Sequence, residues 1–133
     1  MIRISEKDRV DSLIQHFWKN GYLTLSRKHG KYLPKPSKIG DFEVDAVGKL
    51  NKKFVLGLTL TENDIKNPNI LRKIKFLANQ RNKYSTRPVT LFLGVPDSIL
   101  PQVKKLLSEL EETTQKQIKI VSTSPSEDLF GVE

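Results

Sequence analysis

Four carboxylates are grouped in the middle of the sequence: Asp41, Glu43, Asp45 and Glu62. Carboxylate oxygens are the hard ligands that Mg²⁺ and Mn²⁺ accept, so this group could hold a divalent metal ion. Lys66 follows closely and would add a cation. The alternative interpretation is that these carboxylates are solvated at one end of a hairpin that is rich in lysine.

A β-hairpin is predicted to position this acidic group. Residues 42–49 and 53–61 both have strand-like composition, and Asn51 and Lys52 form a tight turn between them. With a two-residue turn, the positions before and after it pair directly. Side chains alternate along a strand, so several chemically informative positions are expected on one face. These positions are Glu43, Asp45, Val47, Leu56, Leu58, Leu60 and Glu62.

The elements around the hairpin follow from hydrophobic spacing and from cap residues. Ser5 and Asp8 form a capping box before a first helix that ends near Gly21, and residues 22–26 form a strand. Further helices are predicted after Asn67 and Ser98. Two more strands are predicted at 89–95 and 118–122.

These elements predict an α/β domain with the order α-β-β-β-α-β-α-β. A crossover helix between the third and fourth strands makes part of the central sheet parallel, so the sheet is mixed and flanked by helices. We expect one domain over residues 1–122 and a flexible, acidic C-terminal tail over 123–133.

The order of elements and the segment 42–60 resemble the PD-(D/E)xK restriction-endonuclease-like family. Members of that family have an Asp near the start of this hairpin, followed by a Glu, Asp or Gln, one spacer and a Lys on the next strand. Asp45 matches the first position, and Gly57 with its apolar neighbours also looks like the family. The other two positions fall on Leu58 and Leu60.

The resemblance implies a nuclease fold whose usual active site is degenerate. In the family the two acids and a backbone carbonyl hold Mg²⁺ or Mn²⁺, which polarises the scissile phosphate, and the lysine helps to activate water. Leucine supplies neither an oxygen ligand nor a cation. Asp45 alone would therefore bind metal weakly. A displaced catalytic site built from Asp45, Glu43 and Glu62 is the alternative.

The net charge of +8 is unevenly distributed. Residues 1–90 are strongly basic and residues 91–133 are acidic. A basic body suggests a polyanionic partner, because lysine and arginine displace counterions from phosphates. The alternative is a solvated, lysine-rich surface.

The basic positions are concentrated in the loop 27–40, where Tyr32 is a candidate for stacking on a base. Trp18 and Phe17, in contrast, are interpreted as core residues of the first helix. The predicted nucleic-acid contacts are Arg27, Lys28, Lys31, Tyr32, Lys35, Lys38, Lys52, Lys53, Lys73 and Lys75.

Three functional hypotheses follow. The first is an inactive nuclease-like protein without a cofactor that binds nucleic acid, with DNA favoured over RNA, or that serves as an accessory subunit. The second is an active Mg²⁺- or Mn²⁺-dependent nuclease with the displaced site. The third is a protein-interaction or homodimerisation module that uses apolar hairpin residues.

The composition bears on which metal sites, disulfides and membrane segments the chain could have. There is no cysteine for disulfides or thiolate metal sites, and the two histidines are too few for a histidine-rich metal site. No apolar run reaches the ~18–20 residues of a membrane helix, and the N-terminus lacks the apolar core of a signal peptide. We therefore expect no membrane partner and a cytoplasmic location.

Overall fold

The computed structural model describes residues 5–81 and 87–124. The strands are β1 Leu23–Arg27, β2 Ala46–Leu50, β3 Lys53–Thr59, β4 Thr90–Val95 and β5 Ile118–Ser122. The helices are α1 Glu6–Lys19, α2 Glu62–Lys66, α3 Ile70–Ala78, α4 Leu100–Leu107 and α5 Glu112–Gln115. A short 3₁₀ turn, Asp97–Ile99, precedes α4.

The strands form one five-stranded mixed sheet with the order β1-β2-β3-β4-β5. The pairs β1–β2 and β2–β3 are antiparallel, and the pairs β3–β4 and β4–β5 are parallel. The predicted α/β class and the mixed sheet are confirmed. The short helices α2 and α5 were not predicted.

Two apolar layers cover the two faces of the sheet. Helix α1 packs on one face through Val10, Leu13, Ile14 and Phe17, against a cluster that includes Phe92. Helices α3 and α4 pack on the other face, against a larger cluster. Strand β4 is buried on both sides, as its continuous apolar run predicts.

The hairpin has the predicted two-residue turn and the predicted register, with Leu50 opposite Lys53 and Val47 opposite Leu56. The first strand of this hairpin, β2, however, begins at residue 46 and not at the predicted residue 42. The chain bends at Asp45, and it is Val44 that enters the core. The predicted alternation is therefore wrong before residue 46.

The physical reason for this correction is the burial of an apolar side chain. Val44 is 2% exposed in the cluster that contains Leu58 and Leu60, whereas Glu43 is exposed. Burying a valine is favourable, and burying the Glu43 carboxylate among leucines would be costly. The bend at Asp45 allows the apolar residue to take the buried place.

Three predicted boundaries also differ from the structure. Glu62 begins helix α2 instead of continuing the strand, because Thr61 and Asp64 form a capping box there. The predicted N-cap at Asn67 is wrong, since its side chain accepts a hydrogen bond from the Asn69 backbone and α3 begins at Ile70. Ser98 lies in the 3₁₀ turn, and α4 starts after it.

Gly57 allows helix α1 to lie close to the sheet. A Cβ atom at this position would be 2.6 Å from Leu13 Cδ2 and 2.9 Å from Phe17 Cζ. Both distances are shorter than ordinary van der Waals contact, so a side chain at this position would displace Leu13 and Phe17. The glycine thus leaves room for these two core side chains of α1 on the sheet.

The start of the predicted tail is held against the domain. Thr123 is buried and donates its backbone N–H to the Val95 carbonyl, at 3.1 Å. The Ser124 hydroxyl accepts from the Asp97 backbone, at 2.9 Å. The rest of the predicted tail, 125–133, lies outside the described residues. Within the described ranges, no helix combines the length and the apolar character that crossing a bilayer requires.

Candidate nucleic-acid interface

Asp45 lies at the centre of the site that the sequence singled out, but its carboxylate is already engaged. One oxygen accepts the backbone N–H of Thr59 at 2.6 Å and the Thr59 hydroxyl at 3.1 Å. The other oxygen lies 3.4 Å from Lys28 Nζ. With only 5% of Asp45 exposed, these partners replace the water that the carboxylate would have in solution.

Lys28 connects Asp45 to Glu43. Its ammonium group lies 3.4 Å from a carboxylate oxygen of each residue. Partial burial by itself lowers the pKa of Lys28, but the attraction of Asp45 and Glu43 outweighs this and raises the pKa above its ordinary value. Lys28 therefore offsets part of the negative charge of Asp45 and Glu43. Its contact with phosphate stays a prediction.

The predicted metal site is not assembled. Leu58 and Leu60 are 4% and 1% exposed and lie in the apolar cluster beneath α3, whereas Asp45 bonds to Thr59 between them in sequence. Neighbouring residues on a strand point to opposite faces. The expectation that Asp45 shares one face of the hairpin with Leu58 and Leu60 is therefore wrong. The polar side chain that Asp45 meets on β3 is Thr59.

The remaining predicted ligands lie apart from Asp45. Glu62 is on the exposed surface of α2 and pairs with Lys66 at 3.6 Å. Asp41 is exposed in the loop before the bend. Across residues 5–81 and 87–124, no three histidine or carboxylate side chains converge into a cation site. Around Asp45 the described carboxylates are thus its own, which is engaged by Thr59, and that of Glu43, which shares Lys28 with it.

The basic loop is fixed at its base by hydrogen bonds. The Arg27 backbone N–H donates to the Pro34 carbonyl at 3.0 Å, and the Lys28 backbone N–H donates to the Asp45 carbonyl at 2.9 Å. The Arg27 side chain forms a half-buried ion pair with Asp11 on α1 and also donates to the Lys28 carbonyl. Arg27 therefore has a structural role at the base of the loop, and its contact with phosphate stays a prediction.

Beyond this base, the loop presents exposed cations. Lys31, Lys35 and Lys38 are all exposed, and none of them has a carboxylate within 4.0 Å among the residues that the structure describes. Tyr32 stands between them with 95% of its surface exposed. These four predicted contacts are brought together on one segment.

The other predicted contacts lie on different parts of the molecule. Lys52 and Lys53 are at the tip of the β2–β3 hairpin, whereas Arg27 pairs with Ala46 at the opposite end of the sheet. Lys73 and Lys75 are on α3. Lys52 and Lys53 thus lie away from the basic loop, whereas α3 contacts the end of that loop, where Phe76 lies against Gly40.

A groove that the sequence did not reveal runs between α1 and the basic loop. It has a volume of about 300 Å³. One side of the groove is a single face of α1, because its lining residues are three or four positions apart. These residues are Lys7, Asp11, Ile14 and Trp18. Residues 29–33 line the other side, and Thr24 and Arg27 lie between the two walls.

Trp18 is the functional candidate that the sequence analysis assigned to the core. It is 63% exposed, and the assignment is therefore wrong. The buried stripe of α1 ends with Phe17, and Trp18 lies at the edge of that stripe, where the groove begins. The sequence did contain a sign of this exposure: Trp18 directly follows four apolar residues that already complete the buried stripe of α1, namely Val10, Leu13, Ile14 and Phe17.

A hydrogen bond and an ion pair join α1 to the loop wall of the groove. His29 Nε2 lies 2.7 Å from Glu6 Oε1, and this hydrogen bond lowers the pKa of Glu6. Burial by itself raises the pKa of Asp11, but hydrogen bonds from Arg27 and Lys7 hold it below its ordinary value. Both carboxylates thus stay charged at neutral pH and join α1 to the loop.

Comparison with known proteins finds no matching family model, curated protein or solved structure for this chain.

Proposed function

We propose that this chain is a non-catalytic nucleic-acid-binding protein on a nuclease-like α/β scaffold, with DNA as the favoured ligand. The observation that carries the proposal is the set of exposed lysines around Tyr32: Lys31, Lys35 and Lys38 have no carboxylate partner among the described residues. Cations that are not neutralised within the fold remain available to displace counterions from phosphates.

The surroundings of Asp45 support a binding role over catalysis. The two positions at which the family carries an acid and a lysine are buried leucines here. The carboxylate of Asp45 is used by Thr59 and Lys28. This arrangement serves the stability of the hairpin and leaves Asp45 without a free ligand atom.

The test is the salt dependence of binding. We expect the variant Lys31→Glu/Lys35→Glu/Lys38→Glu to bind a duplex DNA more weakly. The slope of log K against log salt should also fall by about one for each lost phosphate contact. The matched control is Lys104→Glu/Lys105→Glu/Lys116→Glu, which makes the same charge change on exposed residues around α4 and α5. Equal slopes for the two variants would remove the proposal.

A homodimer is the second candidate function, and edge strand β1 is the observation in its favour. Leu23 and Leu25 are 68% and 39% exposed on this strand, so the apolar surface lies on β1 and not on the hairpin that the sequence suggested. A β-bulge between Thr24 and Ser26 interrupts the edge, which disfavours pairing with a second strand. Sedimentation of the wild type as a monomer at high concentration would eliminate this candidate.

A further inference from the structure

We propose that the groove between α1 and the basic loop binds unpaired bases, with Trp18 and Tyr32 as stacking surfaces. The protein would then prefer single-stranded nucleic acid over a duplex. This inference rests on the proposed function, since it names the form of nucleic acid that the same surface takes.

The exposure of the two aromatic rings is the first argument. The apolar residues that α1 buries, including Leu13 and Phe17, are at most 2% exposed, yet Trp18 is 63% exposed. Tyr32 is 95% exposed. Large rings left in water on a monomer are informative when they line a common depression, as these two do.

The shape and lining of the groove are the second argument. Its volume of about 300 Å³ is at the lower end of the range for ligand sites, which suits a flat, small group. Ile14 and Leu33 add apolar lining beside the two rings. The bases of a duplex are stacked on each other and cannot offer their faces, whereas unpaired bases can stack on aromatic side chains.

The placement of charge is the third argument. An exposed lysine adjoins each ring in the sequence, Lys19 after Trp18 and Lys31 before Tyr32. Neither lysine has a carboxylate within 4.0 Å in the part of the chain that the structure describes. A strand whose bases enter the groove would keep its phosphates at the rim, within reach of these cations.

Contacts within the chain hold the loop wall in place. The hydrogen bond between the Arg27 N–H and the Pro34 carbonyl closes the loop, and the pair of His29 with Glu6 attaches it to α1. His29 adopts the left-handed backbone, with φ of 60°, in the turn that follows β1. A preformed wall lowers the entropy cost of binding.

Trp18 is the only tryptophan of the chain, so its fluorescence reports on the groove directly. We would titrate the full chain with oligo-dT and with a duplex of the same length, at the same low ionic strength. The expected result is quenching of Trp18 emission by oligo-dT, with tighter binding of oligo-dT than of the duplex.

Substitutions of Trp18 and Tyr32 then test whether their rings cause the preference for single-stranded nucleic acid. Fluorescence anisotropy of labelled oligo-dT should show binding weakened by roughly tenfold in Trp18→Leu and in Tyr32→Leu, with duplex binding little changed. Trp18→Phe keeps a ring and should retain much of the affinity. Phe76→Leu is the control for the loss of a ring outside the groove lining, because Phe76 on α3 is 38% exposed and packs against Phe42.

The outcomes separate this inference from the proposed function. Binding of both nucleic acids with equal affinity and no quenching would overturn the single-strand preference and leave the nucleic-acid role standing. Binding of neither would overturn the proposed function, and the inference with it. Because both substituted side chains are mostly exposed, thermal unfolding should be close to that of the wild type, which checks that the variants are folded.

Discussion

The carboxylate of Asp45 and the residue Thr59 are joined by two hydrogen bonds, from the Thr59 backbone N–H at 2.6 Å and from its hydroxyl at 3.1 Å. The contact joins the bend before β2 to the last residue of β3. The paired residues of β2 and β3 end with Ala46 opposite Gly57. The contact between Asp45 and Thr59 joins the two chain segments beyond that last pair. Asp45 thus contributes to the hairpin at the position that the resemblance assigns to the family's first acidic residue.

Replacing Asp45 should therefore affect stability. Asp45→Ala leaves the buried Thr59 N–H without its acceptor and leaves Lys28 with Glu43 as its remaining carboxylate partner. We therefore expect a loss of about 2–4 kcal/mol in the free energy of unfolding. Asp45→Asn keeps an acceptor and should cost less. Urea unfolding at neutral pH measures both. Asp41→Ala, at an exposed carboxylate, is the control, and an equal effect of Asp41→Ala and Asp45→Ala would refute the structural role.

We expect that the protein does not cleave DNA in Mg²⁺ or Mn²⁺. The reason is that both oxygens of Asp45 are engaged and the neighbouring family positions are leucines. End-labelled single-stranded, duplex and branched DNA are the substrates, and calorimetry with Mn²⁺ checks for metal binding. Cleavage or saturable binding that disappears in Asp45→Asn, the folded variant, would instead establish an active enzyme with a rearranged site.

The ion pairs of Lys28 should make stability depend on alkaline pH. Because Asp45 and Glu43 raise the pKa of Lys28 in the folded protein, the charged form favours folding. This contribution is complete below the ordinary lysine pKa of about 10.4 and is lost as the pH rises through the folded value. The difference in unfolding free energy between wild type and Lys28→Met should be constant from about pH 7 to 9 and shrink above that range. If the difference in unfolding free energy stays constant to pH 11, its cause is the packing of the Lys28 side chain and not its charge.

Gly57→Ala tests the close contact between α1 and the sheet. The added methyl group would overlap Leu13 and Phe17, so we expect a loss of about 1–3 kcal/mol in stability. The double variant Gly57→Ala/Leu13→Ala removes the nearer obstacle. Its loss should be smaller than the sum of the two single losses. Additive losses would show that the close approach of Leu13 is not the cause.

The sequence by itself determined the features that depend on neighbours along the chain. The capping box of Ser5 and Asp8 begins α1 as predicted, because both partners lie within one helical turn. The turn at Asn51 fixes the hairpin register, and Asn51 adopts the left-handed backbone, with φ of 54°, that asparagine tolerates. The apolar run of β4 indicated a strand buried on both faces.

Only the tertiary structure decided which polar groups are used inside the fold and which remain available. Lys28 and Lys31 look alike in the sequence, but the bend at Asp45 brings a carboxylate to Lys28 and none to Lys31 among the described residues. Trp18 fits the apolar spacing of α1, yet it lies at the groove and is 63% exposed. Local spacing sets the direction of a side chain, whereas burial and ion pairing depend on residues distant in the sequence that packing brings into contact.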